Sequence, residues 1–530
     1  MLLQPDPQEP RLKPLAETID AHAARMPDAL AFAAGADVLT WRAYAARSDA
    51  LAAALVRAGV ARGERVAVLL PDGPGVHVAF IATEKAGLVA VGIGPRAGEA
   101  EIRHLVARSG AVALVSRARH RDLDARALAE RLRADGAPLR HHLVDEDDFA
   151  RLAAPGERER RALAERRLGV GDLFLLNSTS GTTGLPKCVQ HDQARWHHFH
   201  RLAVDAAELT ARDVFLSALP APFGFGIWTA HVTPALLGAP CVVLPQFDAV
   251  ELCAVIARHR VTVMAAVSTQ FILMLDALER APESDVSSLR VLFTGGEAVP
   301  YARAAAFEER TGALVLQFYG SNETGALSCT TLRDSRDVRL RTAGHVIPEM
   351  QVRLFDAERR DVTATGRGQP GCRGPVMSAG YWDDAAANAQ LFTADGWMLT
   401  GDLAEIDANG VLRVVGRTAD IIIRGGKNIS APVVEAAVMS HPAVALAAAV
   451  PVPDPVFGER VCAVVELHPD AALTLDALVA HLRAQGVSVE SWPERLLVFD
   501  ELPRSSGGKI AKGALREEAA RRLTTPREET

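Results

Sequence analysis

The chain reads RVAVLL at Arg65–Leu70, VAVGIG at Val89–Gly94 and AVALVS at Ala111–Ser116, three short apolar runs of the kind that form buried strands. Helical periodicity fills the gaps between them, at His77–Leu88 and Glu99–Arg108. This order of strand, helix, strand, helix and strand is typical of a parallel sheet covered by helices. The sequence therefore predicts an α/β fold.

Strand patterns continue along the chain, at Leu173–Leu176, Val261–Val267, Val291–Thr294 and Leu314–Phe318. Several of them end in glycine-rich or polar turns, and ligands of open α/β sheets bind at the carboxyl ends of strands. The chemistry is therefore expected in those turns. Residues 120–168, rich in Arg, Asp and Glu, are predicted to form solvated helices.

The composition changes near Gly416, and the region beyond it predicts a separate small α+β domain. Its patterns are two helices, two strands and a last charged helix, at Val433–Met439, Leu475–Ala484, Val444–Val450, Val461–Leu467 and Gly513–Arg522. We place the boundary between domains 1–416 and 417–530.

The charge and composition exclude several classes of protein. A net charge of −7 without a long basic block argues against nucleic acid as a partner, because neutralising phosphates takes clustered Lys and Arg. No apolar run approaches the ~20 residues of a membrane-spanning helix, and no signal peptide is recognised. The six cysteines show neither a CxxC pair nor metal-ligand spacing, so a reducing, cytoplasmic location is expected.

The run STSGTTGLPK at Ser178–Lys187 directly follows the apolar LFLLN. Its small residues let the backbone approach a polyphosphate, its N–H and hydroxyl groups donate hydrogen bonds, and Lys187 adds a point charge. The run is not a Walker A loop, because Lys187 follows Pro186 and precedes Cys188.

This run resembles the phosphate loop of the adenylate-forming superfamily, in its acyl- and aryl-CoA synthetase (AMP-forming) branch. The similarity extends from Leu15 to Arg516, with further motifs in the family's order. It implies a large N-terminal domain of stacked α/β subdomains with a small β subdomain, and a small mobile α+β C-terminal domain. The residues it assigns to ATP or coenzyme A are Thr179, Ser180, Gly181, Thr182, Thr183, Gly184, Gly295, Gly296, Glu297, Tyr319, Gly320, Asn322, Asp402, Arg417, Gly425 and Gly426.

Two of these motifs carry the nucleotide assignment. By resemblance, Gly295–Glu297 lies along the adenine, Tyr319 stacks on it, and Glu323 holds Mg²⁺. Asn322 stands where the family usually has Thr, which changes its reach towards the α-phosphate.

Asp402 of Thr400-Gly401-Asp402 is assigned to the ribose, because one carboxylate accepts from both hydroxyls, and Arg417 of Gly416-Arg417 is assigned to ribose or phosphate.

The segment Pro503–Ile510 (PRSSGGKI) resembles the family segment that contains the catalytic lysine, here Lys509. Its ammonium would bridge the substrate carboxylate and the α-phosphate. Lys512 is expected on the exposed face of the last helix. Catalysis is therefore assigned to Lys509, Glu323 and Lys187.

Gly425-Gly426 resembles the segment that lines the thiol tunnel in the second half-reaction. Ala419 occupies the hinge position, where the family usually has Asp or Lys. A hinge absorbs backbone rotation, which a small residue permits.

The acid pocket is predicted from Phe223 and Phe225 in PFGFGIW and from Ser268 in VSTQ. This apolar segment offers no counter-charge for an amino group, which favours an aromatic, alicyclic or medium-length acid. Plain core packing is the alternative interpretation of each Phe. His191, His197, His198 and His200 are interpreted as residues of a packed or solvated helix rather than as metal ligands.

Together these motifs predict an ATP-dependent acid:CoA ligase that uses Mg²⁺ and proceeds through an acyl-adenylate. One alternative is an adenylation enzyme that loads a carboxylic acid onto the phosphopantetheine arm of a carrier protein. Another is a nucleotide-binding protein without turnover.

Overall fold

The computed structural model describes residues 12–178, 186–296, 299–417, 421–424, 427–504 and 510–524. This part of the chain divides into two compact units. The first unit contains the described residues up to 178 together with 186–247 and 375–384, and the second contains 248–374 and the described residues from 385 onward.

The central sheet of the first unit confirms the predicted strand-helix alternation. Its strands are parallel except for the edge strand Cys188–Asp192, which runs antiparallel to its neighbour. In spatial order they are Cys188–Asp192, Leu173–Ser178, Val89–Gly92, Arg65–Leu69, Ala113–Ser116 and His141–Val144.

The strand His141–Val144 corrects the prediction that residues 120–168 form only solvated helices. All four of its residues are half-buried, so its sequence lacks the alternation by which a strand is recognised. The helices Ala125–Ala134 and Glu157–Arg166 of the same region confirm the rest of that prediction.

The remaining elements of the first unit surround this sheet. The helix Pro74–Lys85 is buried along its whole length, which explains why it lacks a polar face. The other helices are Leu15–Arg25, Trp41–Arg57, Glu99–Ser109, Gln193–Ala207, Gly224–Gly226 and Thr233–Leu237, with a π-helical turn at Ile227–Val232. The other strands are Leu30–Ala34, Asp37–Thr40, Arg119–His120, Leu123–Asp124, Phe215–Ser217 and Cys241–Val243.

The second unit contains three groups of paired strands. Parallel strands Val263–Ala265, Val291–Gly295 and Leu314–Ser321 confirm the predicted pattern and continue antiparallel into Gly325–Cys329 and His345–Val346. The small antiparallel sheet comprises Gln351–Phe355, Arg367–Arg373, Met398–Leu399, Asp402–Ile406 and Leu412–Arg417. The C-terminal sheet comprises Ile421–Arg424, Lys427–Ser430, Val444–Asp454, Gly458–Leu467 and Arg495–Phe499.

Helices cover these sheets, and the C-terminal sheet carries a hydrophobic cluster on each face. The helices are Ala249–His259, Ser268–Arg280, Tyr301–Thr311, Arg336–Arg341, Ala385–Leu391, Ala431–Val438, Leu475–Ala484 and Lys512–Thr524, with 3₁₀ turns at Thr363–Thr365 and Val489–Ser491. The predicted α/β class, with parallel sheets in the larger part and a small α+β C-terminal part, is confirmed. The domain boundary at 416/417 stays a prediction.

Across the described ranges, no helix combines the length and the apolar character that crossing a membrane takes. The six cysteines are free thiols, five of them buried.

Candidate active site

Lys187 directly precedes the strand Cys188–Asp192, which runs antiparallel to Leu173–Ser178. Cys188 pairs with Ser178, so the ends of the segment predicted to bind phosphate are held side by side. The ammonium of Lys187 lies 4.8 Å from the ring centroid of Tyr381. The carbonyl of Pro186 accepts a 2.9 Å hydrogen bond from Nε2 of His104. Sequence reasoning missed Tyr381, because only the fold brings it to Lys187.

The predicted acid segment of the first unit is a tight turn that leads into a helix. The backbone N–H of Phe223 donates to the carbonyl of Pro220 over 3.1 Å, and a Cβ on Gly226 would come within 2.1 Å of that same oxygen. Phe223 and Phe225 are half-buried, whereas Ile227, two residues further on, is fully buried. Complete burial in the core, the alternative for both Phe residues, is therefore not observed.

Two polar side chains that the sequence analysis missed hold this segment. Oδ1 of Asp72 accepts the N–H of Ala221 over 2.8 Å, and Nδ2 of Asn177 donates to the carbonyl of Pro222 over 3.0 Å. Burial raises the pKa of Asp72 to about 7, against a weaker lowering by this hydrogen bond and by Arg96. Each of the two residues closely follows an apolar strand pattern, which is the signal that could have identified them.

The histidine cluster is packed, and one of its members was assigned to the wrong element. His191 lies in the strand Cys188–Asp192, not in a helix, and is completely buried. The others lie on the helix Gln193–Ala207 and bond to protein atoms: His197 to the carbonyl of Lys13 at 2.9 Å, His198 to Arg201 at 2.7 Å and His200 to Thr233 at 3.2 Å.

In the second unit, residues from three predicted nucleotide motifs lie together. Gly295 pairs with Phe318 on the neighbouring parallel strand, which brings Gly295 and Gly296 beside Tyr319. The hydroxyl of Tyr319 donates a 2.8 Å hydrogen bond to Oδ2 of Asp402.

Asp402, whose side chain is largely buried, is in turn the backbone partner of Arg417 across the small sheet. The arrangement offers an aromatic ring, a carboxylate and a glycine turn within one region.

Glu323 occupies the turn between two antiparallel strands, of which the first ends at Ser321 and the second begins at Gly325. The hydroxyl of Ser321 accepts the N–H groups of Glu323 and Thr324 over 3.2 and 3.1 Å, and Oγ1 of Thr324 accepts the N–H of Ser321 over 2.9 Å. Gly320 and the half-buried Asn322 flank this turn. The turn therefore fixes the backbone from which the Glu323 carboxylate projects.

Ser268 begins the helix Ser268–Arg280 and is buried. Its neighbour Thr269 accepts a 3.2 Å hydrogen bond at Oγ1 from Nη1 of Arg504. Arg504 in turn forms a backbone bridge with Ile510, so these two residues close the base of the segment that contains Lys509. The predicted acid segment VSTQ thus contacts the predicted catalytic segment within the second unit.

Lys512 corrects a minor expectation. Its ammonium forms a 2.7 Å ion pair with Oε1 of Glu435, and its side chain is only 20% exposed, so it fastens the last helix instead of facing solvent. Several predicted residues lie outside the described ranges: Thr179, Ser180, Gly181, Thr182, Thr183, Gly184, Glu297, Ala419, Gly425, Gly426 and Lys509.

Comparisons with known proteins agree with these motifs. A family model described as AMP-binding enzyme matches residues 19–382, and one described as AMP-binding enzyme C-terminal domain matches residues 433–509. A salicylyl-CoA synthase / salicylate adenylyltransferase from a Streptomyces species is 32% identical over 519 residues, which cover 96% of this chain and 94% of that protein.

A salicyl-AMP ligase / salicyl-S-ArCP synthetase from Mycobacterium tuberculosis is 32% identical over 505 residues, covering 93% of this chain and 88% of that protein. Among solved structures, the anthranilate CoA ligase AuaEII in complex with anthranoyl-AMP has a TM-score of 0.86 at 23% identity, covering 97% of this chain and 98% of that one, which shows the same fold. With both family models matched and relatives similar along nearly their whole length, the chain belongs to the AMP-binding enzymes of the adenylate-forming superfamily.

Proposed function

We propose that this enzyme is an ATP-dependent ligase that converts an aromatic carboxylic acid into its acyl-adenylate and then into a thioester of coenzyme A. The observation that carries the proposal is the hydrogen bond between Tyr319 and Asp402, with Gly295 and Arg417 at neighbouring backbone positions. It joins separate nucleotide motifs of the sequence into one site.

The first half-reaction makes a mixed anhydride. A carboxylate oxygen attacks the α-phosphorus of ATP, the bond to the β-phosphate oxygen breaks, and pyrophosphate leaves. The acyl group then carries AMP, a far better leaving group than oxide. Lys187 and Lys509 would stabilise the negative charge that develops on the phosphates and on the reacting carboxylate. Asp402 would accept hydrogen bonds from the ribose hydroxyls.

Glu323 fits Mg²⁺ by its chemistry, because it offers hard carboxylate oxygens, the ligands that this ion prefers, from a turn fixed by side-chain hydrogen bonds. When bound with ATP, the ion would neutralise phosphate charge.

In the second half-reaction a thiol attacks the acyl carbon, AMP leaves, and the thiol proton is released. We propose that the domain 417–530 rotates about Ala419 between the two steps. This motion would withdraw Lys509 and present Gly425 and Gly426 to the pantetheine arm.

An aromatic acid is favoured over a linear one by two observations. Phe223 and Phe225 are half-buried rather than enclosed in the core. The two relatives described above act, by their names, on salicylate. We propose that both rings line the acid pocket.

A carrier protein is the second candidate for the thiol. The mycobacterial relative is named as a synthetase that joins salicyl to an aryl carrier protein. The Streptomyces relative is named as a CoA synthase, so similarity alone leaves both acceptors open.

The test is pyrophosphate release from MgATP across a panel of aromatic, alicyclic and linear acids, with and without coenzyme A. Sustained release with formation of AMP and acyl-CoA would establish the ligase. Release that stops after one turnover despite coenzyme A would support the carrier-protein alternative. Absence of pyrophosphate release with every acid would overturn the proposal and favour a nucleotide-binding protein without turnover.

A further inference from the structure

The backbone at Ala221 and Pro222 rests on the carboxyl ends of three adjacent parallel strands. Asp72, three residues beyond the strand Arg65–Leu69, accepts the N–H of Ala221 over 2.8 Å. Asn177, on the strand Leu173–Ser178, donates to the carbonyl of Pro222 over 3.0 Å.

Between these two strands lies Val89–Gly92, which ends beneath Pro222. A Cβ added to Gly92 would lie 2.7 Å from Cβ of Pro222, and Gly92 is also the register partner of Asn177. Pro222 is therefore held both by a hydrogen bond and by a close steric contact.

His191 sets the orientation of the Asn177 side chain, because it bonds to the amide oxygen of that side chain. Since Nδ2 of Asn177 donates to Pro222, its Oδ1 must accept, and it lies 2.8 Å from Nε2 of His191. His191 therefore bears its proton on Nε2. Its Nδ1 then accepts from Nη1 of Arg195 at 2.9 Å, and Nε of Arg195 donates to the carbonyl of Val376 at 2.9 Å.

Burial keeps this arrangement in one protonation state. Asn177, His191 and Arg195 are all at least 95% buried. Burial, and secondarily the neighbouring Arg195, lowers the pKa of His191 well below its usual value, so the imidazole is neutral at neutral pH. Each of the four nitrogen atoms named above as a donor thus has an acceptor, and such a chain of buried hydrogen bonds restricts the motion of its members.

We propose that Asn177, His191 and Arg195 are positioning residues that fix the acid-binding segment Pro222–Phe225 against the end of the strand Leu173–Ser178, at whose last residue the run predicted to bind phosphate begins. This inference rests on the proposed function, because it assigns the two segments to the acid and to ATP. Asn177 is suited to the task, since it directly precedes Ser178, the first residue of the run predicted to bind phosphate, and bonds directly to Pro222. His191 acts through Asn177 and exchanges no proton with the substrate.

The test compares variants that break the chain of hydrogen bonds at different points. Asn177→Asp keeps the acceptor for His191 but loses the donor to Pro222 and places a carboxylate oxygen against a carbonyl oxygen. We expect the KM for the acid to rise about tenfold or more, the range for leaving a buried polar group unpaired, while the KM for ATP changes by less than about threefold.

His191→Leu should have the same effect, and His191→Gln should restore much of the lost affinity, because an amide can both accept from Arg195 and donate to Asn177. Rescue by Gln would exclude acid–base catalysis by His191, since Gln does not titrate. The matched control is His197→Leu. It removes a buried histidine whose described contact is a hydrogen bond to the carbonyl of Lys13, a residue far away in the sequence. It should leave the KM for the acid unchanged.

Gly92→Ala displaces Pro222 without altering any side chain of the hydrogen-bond network and covers the case in which Asn177→Asp does not fold. It should also raise the KM for the acid. The proposal is overturned if Gly92→Ala leaves that KM unchanged, or if His191→Gln is as impaired as His191→Leu. A wild-type enzyme that activates no acid would instead overturn the proposed function, so the two failures are distinguishable.

Discussion

The hydroxyl of Tyr319 donates a 2.8 Å hydrogen bond to Oδ2 of Asp402, although 83 positions of sequence separate the two residues. Tyr319 lies two residues before the end of the strand Leu314–Ser321, and Asp402 begins a strand of the small antiparallel sheet. The bond fixes the tilt of the aromatic ring and one of the two oxygens of the carboxylate. In the proposed site, the ring would bind adenine and the carboxylate would bind ribose, so the bond orients both contacts before ATP arrives.

Tyr319→Phe tests this orientation, because it keeps the ring and removes the bond. We expect the KM for ATP to rise about twofold to tenfold, as for the loss of one hydrogen bond that contributes about 0.5–1.5 kcal/mol, with the KM for the acid unchanged. Steady-state kinetics with varied ATP measures the change. The control is Tyr301→Phe, which removes the hydroxyl of another tyrosine. The ring of Tyr301 packs 3.6 Å from the guanidinium of Arg341. An equal effect of both substitutions would contradict the assignment.

Tyr381 is predicted to hold the ammonium of Lys187, which lies 4.8 Å from the centre of its ring. A cation–π contact of this kind contributes about 0.5–1 kcal/mol, so Tyr381→Leu should reduce kcat/KM for ATP by about twofold to fivefold. Tyr381→Phe keeps a ring of similar quadrupole and should retain most of the activity. If Tyr381→Phe and Tyr381→Leu reduce kcat/KM equally, the activity depends on the hydroxyl of Tyr381 and not on its ring.

The sequence was sufficient to predict the strands that are continuous apolar runs. It was also sufficient to identify the motifs whose residues are contiguous in the chain. RVAVLL and LFLLN predicted their strands because both faces of these strands are buried. Tyr381, Asn177 and Asp72 could not be assigned in this way, because their roles arise from contacts between segments far apart in the chain. His191 was placed in the wrong element for a similar reason: the strand Cys188–Asp192 is short and mixes polar with apolar residues.

Lys85 is a structural cation that joins two carboxylates. Its completely buried ammonium lies 2.7 Å from both Asp20 and Asp49. Lys85→Met leaves two carboxylates without their shared cation, and we expect a loss of about 3 kcal/mol in the free energy of unfolding. Lys13→Met, which removes an exposed partner of Glu17, should cost less than about 0.5 kcal/mol. Thermal unfolding of both variants makes the comparison, and similar losses would contradict a structural role for Lys85.

Asp72 gives the stability of the enzyme a predictable dependence on pH. Burial raises the pKa of this carboxyl from 3.8 to about 7, so the folded protein binds the proton more tightly than the unfolded chain does. The contribution of Asp72 to stability is therefore fully present below pH 4 and declines as the pH rises to about 7. Asp72→Asn keeps an acceptor for the N–H of Ala221 and removes the buried charge.

The expected gain of Asp72→Asn over the wild type is at most about 1.6 kcal/mol at pH 5 and largest above pH 7, where it reaches at most about 4 kcal/mol. The melting temperatures of both proteins at pH 5 and pH 8.5 provide the measurement. Asp28→Asn is the control, because the side chain of Asp28 is 83% exposed. A gain that is the same at both pH values would show that the charge of Asp72 is not the cause.

Lys509 is predicted to act in adenylate formation and not in thioester formation. Lys509→Ala should nearly abolish pyrophosphate release from ATP and acid, yet leave the reaction of supplied acyl-AMP with coenzyme A close to the wild-type rate. In the proposed mechanism the ammonium would stabilise the charge that develops on the carboxylate and the α-phosphate during adenylate formation, a step that supplied acyl-AMP bypasses. Equal loss of both half-reactions would contradict the assignment of one half-reaction to this residue.

Arg504 provides a finer version of the same test, because its Nη1 donates a 3.2 Å hydrogen bond to Oγ1 of Thr269 while its backbone pairs with Ile510 at the base of the Lys509 segment. Thr269→Val removes the acceptor at nearly constant volume and should slow adenylate formation severalfold, with thioester formation unaffected. Arg504→Ala should do the same, and the double variant should be no slower than the slower single one, because both substitutions break the same contact. Additive effects would show that Arg504 and Thr269 act independently, and the contact between them would then have no part in placing Lys509.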